Sequence, residues 1–351
     1  MNDLAEQFRR FADQECTEDP LYVALCHAIA EAPALLGLMR HTPTTQARPN
    51  LLLAALHERV LTGSGQGLRD YYPSVGGTRR PDASLAPLLS GFVQAHQSRI
   101  ADILARRSTQ TNEIGRCAVL WPALTEVARL SGKTELALFD FGSSAGLNLG
   151  VDRYCFDYGS LQLGAAQGPV VHSRWHGAAP PPATPWRIVQ RLGVDPKPVD
   201  VDDEEAVNWL RACLWPHDLE RAARLQAAVA LARASGDRVR QAQDGLSVLA
   251  AWLDALPGGA QPVLFNSWVL AYLCAADFRR HRERVAAMVH ERGLIEISAE
   301  VIELAPAGLA PPPACTVPDP QTPTLWTLQS REGVHALAWS HGHGRWLEWL
   351  K

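Results

Sequence analysis

At 351 residues the chain is long for one core, so a large domain with an extension, or two domains, is expected. Its 47% hydrophobic and 20% charged residues suit an ordinary globular protein, and a net charge of −4 argues against nucleic acid or another polyanion as partner. Seven scattered cysteines without a CxxC pair, a charged N-terminus "MNDLAEQFRR" and no run of eighteen apolar residues favour a cytoplasmic chain without signal peptide, zinc cluster or membrane span.

In chain order, residues 1–130 read as a helical N-terminal domain or lid. Apolar residues recur at three- and four-residue spacing in "DPLYVALCHAIAEAPALLGLM", "NLLLAALHERVL", "LAPLLSGFVQAHQSRIADILARR" and "NEIGRCAVLWPALTEVARL". The Gly/Pro-rich "GSGQGLRDYYPSVGGTRRPDAS" interrupts them as a loop. From residue 131 the texture changes. "LALFDF" is the short apolar run of a strand buried on both faces, and "RYCFDYG" and "GPVVHSRW" also read as strands. The proline-rich Gly177 to Trp186 joins them to the helices "DDEEAVNWLRACLW" and "DLERAARLQAAVALARAS". "RVRQAQDG" is a weaker strand, followed by the helix "SVLAAWLDAL". "PVLFNSWVLAYL" reads as a strand running into a helix, and "GLIEISAEV" as a strand after the charged helix "DFRRHRERVAAMVHER". After a second proline-rich insert, Ala305 to Pro323, "TLWTLQSREG" and "VHALAWSHGHGRWLEWL" suggest an antiparallel pair. Strand–helix alternation predicts an α/β fold: a mostly parallel sheet over 131–351, its last strand antiparallel, with an insertion at about 160–235.

The stretch with most chemistry is "DFGSSAGLN". Gly142, Ser144 and Gly146 follow a buried strand ending at Asp140, and glycines admit positive φ and remove Cβ atoms, so a ligand can lie on the backbone. A helix starting near Ala145 would turn free N–H groups to the same crevice. The bland alternative is a tight strand–helix turn. The spacing fits neither a dinucleotide fingerprint nor a phosphate loop. It does contain a literal GxSxG, and Ser144, Asp244 and His341 or His343 follow the chain order of an α/β-hydrolase triad. Against that, the preceding chain is helical, and a carboxylate beside the nucleophile opposes an oxyanion. Asp244, ending a strand in "QAQDG", could accept a hydrogen bond from an exocyclic amine such as that of adenine, or cap the next helix.

These residues resemble the class I S-adenosylmethionine-dependent methyltransferases: "LALFDFGSSAGLN" is similar to their first motif, with Ser144 at the usual middle glycine. "QAQDG" and "VLFNSW" resemble the third- and fourth-strand motifs. Nearly the full chain also resembles a bacterial family of unknown function (DUF2332-like), through "YYPSVGG", "TQTNEIGRC", "SSAGLNLGVDRYCFDYG", "LWP" and "HGHGRWLEWL". The superfamily resemblance implies a Rossmann-like sheet and S-adenosylmethionine as cofactor. Asp140, Gly142, Ser144 and Gly146 would hold its methionine part, and Asp244 would read the adenine. Asp157, or Asp195 if an insertion intervenes, would take the ribose. Asn148 either caps locally or reaches the ligand. Asn266, Ser267 and Trp268 would border the reacting group, where Trp268 or Tyr272 could face the sulfonium or simply pack.

Candidate substrate contacts are Tyr72, Asn112, Arg116 and Tyr272. Each has a structural alternative: core packing for the tyrosines, a cap formed by Thr111-Asn112-Glu113, and a Glu113–Arg116 pair. His341-Gly-His343 lacks a third ligand at metal spacing, so no metal is expected. The expected function is methyl transfer to a small molecule. The alternatives are cyclisation or cleavage of the cofactor releasing methylthioadenosine, a Ser144 hydrolase, or a binding module without turnover.

Overall fold

The computed structural model describes residues 2–43, 46–109, 112–319 and 321–351. Its helices are α1 (Asn2–Arg10), α2 (Pro20–Glu31), α3 (Pro33–Leu36), α4 (Pro49–Leu61), α5 (Leu85–Arg106), α6 (Cys117–Ser131), α7 (Glu204–Ala212), α8 (Leu219–Ser235), α9 (Gly245–Asp254) and α10 (Ala275–Arg292). The strands are β1 (Glu135–Phe141), β2 (Cys155–Asp157), β3 (Gln162–Gly164), β4 (Val170–His172), β5 (Arg174–Gly177) and β6 (Arg187–Asp195). They continue with β7 (Val239–Gln241), β8 (Gln261–Ser267), β9 (Ile295–Glu300), β10 (Thr324–Ser330), β11 (Gly333–Ser340) and β12 (Trp346–Trp349).

The chain divides into two compact units, Met1–Thr111 with Asp203–Leu225, and Asn112–Asp202 with Gln226–Lys351. The first is helical. Asp19 starts α2 by accepting the N–H groups of Leu21 and Tyr22, with Pro20 in the first turn. Phe8, Leu25, Ile29, Leu52, Leu56, Leu89 and Trp209 share one core, and each such side chain contributes about 1.5–3 kcal/mol by leaving water. His57 is buried there, with Nδ1 3.1 Å from the carbonyls of Ala212 and Leu214 and Nε2 2.7 Å from Ser74 Oγ. Burial lowers its pKa to about 4, so the ring is neutral near pH 7. Tyr72 stacks on it at 5.4 Å and is fully buried. No single described helix is long and apolar enough to cross a membrane; a helix pair bent by 97°, Pro20–Glu31 with Pro33–His41, meets that length and composition only jointly.

The second unit holds a nine-stranded, mostly parallel sheet in the order β5-β12-β11-β10-β9-β8-β1-β6-β7. The run β7-β6-β1-β8-β9 is parallel throughout. β10 runs antiparallel to β9, β11 to β10 and β12 to β11, while β5 joins β12 in parallel. β1 is the middle strand of that parallel run, and its apolar stretch Leu136 to Phe139 is buried throughout, as a strand covered on both faces should be. α9 and α10 cover one face, where Ala137, Phe139, Val194, Leu249, Leu264, Val285 and Val289 interlock.

Several expectations need correcting. Within residues 160–235, β6 is no insertion but the immediate neighbour of β1. "RYCFDYG" and "GPVVHSRW" mostly leave the main sheet, because β2 and β4 pair in a separate three-stranded sheet with β3. The final segment makes three antiparallel strands rather than a pair, since the turn at His341 reverses the chain once more. After β8 the chain turns through a 3-10 segment, Leu270–Tyr272, before α10 begins at Ala275.

Candidate functional site

The loop leaving β1 is left-handed at Gly142 (φ 75°), Ser144 (φ 50°) and Gly146 (φ 73°). Its N–H groups are all occupied from within. Gly142 and Ser143 donate to the Val194 carbonyl at 2.9 and 3.0 Å, and Gly146 donates to Ser143 at 2.8 Å. Ser144 donates to Asp195 Oδ2 and Ala145 to Asn112 Oδ1, both at 3.0 Å. Asn112 closes a second bond from Nδ2 to Ser144 Oγ, again at 3.0 Å. The small residues make room for neighbouring side chains: a Cβ on Gly142 would collide with Val269, and one on Gly146 would lie 2.8 Å from Val239 Cγ2. So the expectation of bare backbone facing a crevice is not met. Nor does an α-helix start at Ala145; a 3-10 segment, Leu147–Arg153, follows instead. With its donors used, the loop is no cradle for a phosphate.

What the sheet offers at this end is acceptors. Asp140, at the end of β1, is 2% exposed; burial raises its pKa to about 7, opposed by the 2.7 Å hydrogen bond from Ser143 Oγ. Asp195 ends β6, the strand beside β1, and accepts the N–H groups of Ser144 and Lys197. Asp157 is on β2 of the small sheet, next to His172, so the acid that ends the second strand of the parallel run is Asp195. Asp244 caps α9 through Ser247 and pairs with Arg284 at 3.0 Å, and the Ser247 hydroxyl bond chiefly lowers its pKa. Asn148 receives the Cys117 thiol at 3.3 Å, a local tie.

At the end of β8, Asn266 is fully buried and its Nδ2 donates to Ser298 Oγ (2.9 Å) and Glu300 Oε1 (3.0 Å). Asn266 Oδ1 and Glu300 Oε2 are buried acceptors without a hydrogen-bond partner among the described residues. Glu300, ending β9, also takes the N–H groups of Val269 and Leu270, and burial raises its pKa. Ser267 receives Arg116 Nη1 on its hydroxyl at 3.2 Å, while Arg116 Nε donates to the Gly342 carbonyl at 2.9 Å. Trp268 is left-handed (φ 51°), with its indole N–H on Thr324 Oγ1 at 2.8 Å. Asn112 is the loop clamp already described. Tyr272 is 79% exposed, so it is not packed in the core.

Asp140, Gly142, Ser144, Gly146, Asn112 and Arg116 thus gather with Asn266, Ser267 and Trp268 at the carboxyl ends of β1, β6 and β8. That is where open α/β sheets hold ligands. Tyr72, buried against His57 in the helical unit, serves that unit's core. Of the cap suggested by Thr111-Asn112-Glu113, Thr111 lies outside the described residues; Glu113 caps the short turn Ile114–Arg116 through the Gly115 N–H. His341 Nδ1 accepts the His343 N–H, and among the described residues no three metal-binding side chains converge. Residue choice from sequence missed Glu300; the available signal was a pair of acids, Glu296 and Glu300, in the otherwise apolar strand "LIEISAE". For the hydrolase alternative, the N–H after the serine should face an oxyanion, and here the Ala145 N–H is taken by Asn112.

A family model described as "Uncharacterized protein conserved in bacteria (DUF2332)" matches residues 5–349. Comparison with curated proteins and with solved structures finds no match.

Proposed function

The chain belongs to that bacterial family, which brings no assigned activity, and from the site itself we propose an S-adenosylmethionine-binding enzyme that methylates a small molecule. One observation carries the reading. Five adjacent parallel strands end in acceptor side chains or lead directly into one: Asp244 after β7, Asp195 on β6, Asp140 on β1, Asn266 on β8 and Glu300 on β9. A row of acceptors with the loop donors already spent selects a ligand rich in donors and positive charge. S-adenosylmethionine carries an ammonium, a sulfonium, two ribose hydroxyls and an exocyclic amine against a single carboxylate, so most of its polar groups suit a row of acceptors.

The glycine cradle suits it less directly, because Val269 and Val239 fill the space that the glycines leave. Binding therefore requires Val269 to withdraw from Gly142. In this reading Asp140 receives the ammonium, Asp195 the ribose hydroxyls, and Asp244 the adenine amine. Bound cofactor supplies a methyl group already activated on sulfur, so the chain's own residues have to align the acceptor and exclude water. Asn266 offers its free Oδ1 to orient an acceptor N–H or O–H, and Arg116 fixes Ser267 beside it. With a pKa near 7, Asp140 takes a cation better above neutrality than below it.

Calorimetric titration with S-adenosylmethionine and S-adenosylhomocysteine tests the reading, and absence of heat with either at millimolar concentration ends it. Incubation with cofactor alone, assayed for methylthioadenosine, separates methyl transfer from cleavage of the cofactor.

A further inference from the structure

The segment after β8 covers the loop after β1. Val269 occupies the space in front of Gly142, where any Cβ would collide with it. A single buried carboxylate holds it there: Glu300 Oε1 accepts the Val269 N–H at 2.9 Å and the Leu270 N–H at 3.1 Å. The chain leaves the strand through a non-glycine residue in the left-handed region, Trp268 at φ 51°. That residue is fixed at its base, by its indole N–H on Thr324 Oγ1 and its main-chain N–H on the Ala299 carbonyl at 3.0 Å. At the far end Tyr272 is 79% exposed, and between the two only Leu270 is buried. The arrangement is a strained hinge, a plug, a latch and a loose end.

We propose that residues 268–273 form a strap closed over Gly142, with Glu300 as its latch. Releasing the two N–H groups lets the chain swing at Trp268, lifts Val269 off the loop and exposes Leu270, a local opening rather than unfolding of the sheet. The strap rests on the cofactor reading only for the choice of ligand that gains access, and its latch is testable without any ligand.

The experiment measures amide hydrogen exchange in the full chain and, in parallel, the association rate of S-adenosylhomocysteine, for wild type, Glu300→Gln and Val269→Ala. Replacing the carboxyl group by an amide in Glu300→Gln weakens the shared acceptor and speeds exchange at the Val269 and Leu270 amides on the order of tenfold, leaving Leu138 and Val263 unchanged. Val269→Ala keeps the latch, so exchange at those amides stays as in wild type while association becomes several-fold faster (order of magnitude). Unchanged exchange in Glu300→Gln overturns the strap whatever the binding result, as does equal acceleration at Leu138 and Val263. Binding whose rate neither variant alters also overturns it. If exchange responds as expected and no variant binds S-adenosylhomocysteine, the strap stands and the cofactor reading fails.

Discussion

The exits from β1 and β8 make the same move with different partners. Each leaves its strand and passes a non-glycine left-handed residue, Ser144 or Trp268. After β1 the freed N–H groups find four acceptors: the Val194 and Ser143 carbonyls, Asp195 and Asn112. After β8 two successive N–H groups converge on one carboxylate, Glu300. The first exit is held by several acceptors, and the second, beyond its anchored Trp268, by one carboxylate. If one of them moves to admit a ligand, it is the second.

The largest effect expected is at the contact between them. Gly142→Ala puts a Cβ into Val269 at a positive φ and should cost about 3–5 kcal/mol, read by chemical denaturation. In a Val269→Ala background the Cγ2 clash goes while the Cβ at 2.8 Å remains, so a double-mutant cycle should recover part of the cost, roughly 1–2 kcal/mol; simple additivity would mean that the two exits do not touch.

The next concerns Asp140. Its folded pKa of about 7 lies above the usual carboxylate value, so the native state holds the extra proton between about pH 4 and 7. Stability from this group is present below pH 4 and is lost as pH rises through 7. Asp140→Asn removes that loss. It should stabilise the protein by on the order of a few kcal/mol at pH 8 and much less at pH 5, and an equal effect at both values would contradict the burial argument.

Asn112→Ala strips the β1 exit of one clamp, removing the acceptor of the Ala145 N–H and one donor to the Ser144 hydroxyl; about 1–3 kcal/mol should be lost. A cost near zero would show that the exit is less braced than its bonds imply. The smallest effect is at Ser144 itself: Ser144→Gly relieves the left-handed backbone but gives up the Asn112 bond, leaving a net change within about 1 kcal/mol.

Much of this architecture could be read from the chain. β1 was legible because Leu136 to Phe139 make a short apolar run stopped by a glycine-rich turn, and α9 because Asp244 precedes an apolar run as a cap should. β6 was not. Arg187, Gln190, Arg191 and Gly193 interrupt its apolar run, because its outer half is only partly buried and Arg191 reaches Asp152 at 2.8 Å. Missing β6 displaced the second-strand acid from Asp195 to Asp157. The glycines were legible as space, but a sequence does not state what fills space. Val269 and Val239 reach Gly142 and Gly146 only through strand order. Glu300 was hidden for a related reason: a carboxylate in a buried strand reads as a defect until its partners are known.

The outer border of the large sheet carries a kinetic consequence. Among the described residues β5 pairs in that sheet with β12 alone, a strand from the far C-terminal part of this unit. Closing so long a loop is slow and entropically unfavourable, so Arg174–Gly177 emerges during synthesis well before the strand that shelters it. Until Trp346–Trp349 arrives, that stretch lacks its pairing strand and is open to wrong pairing.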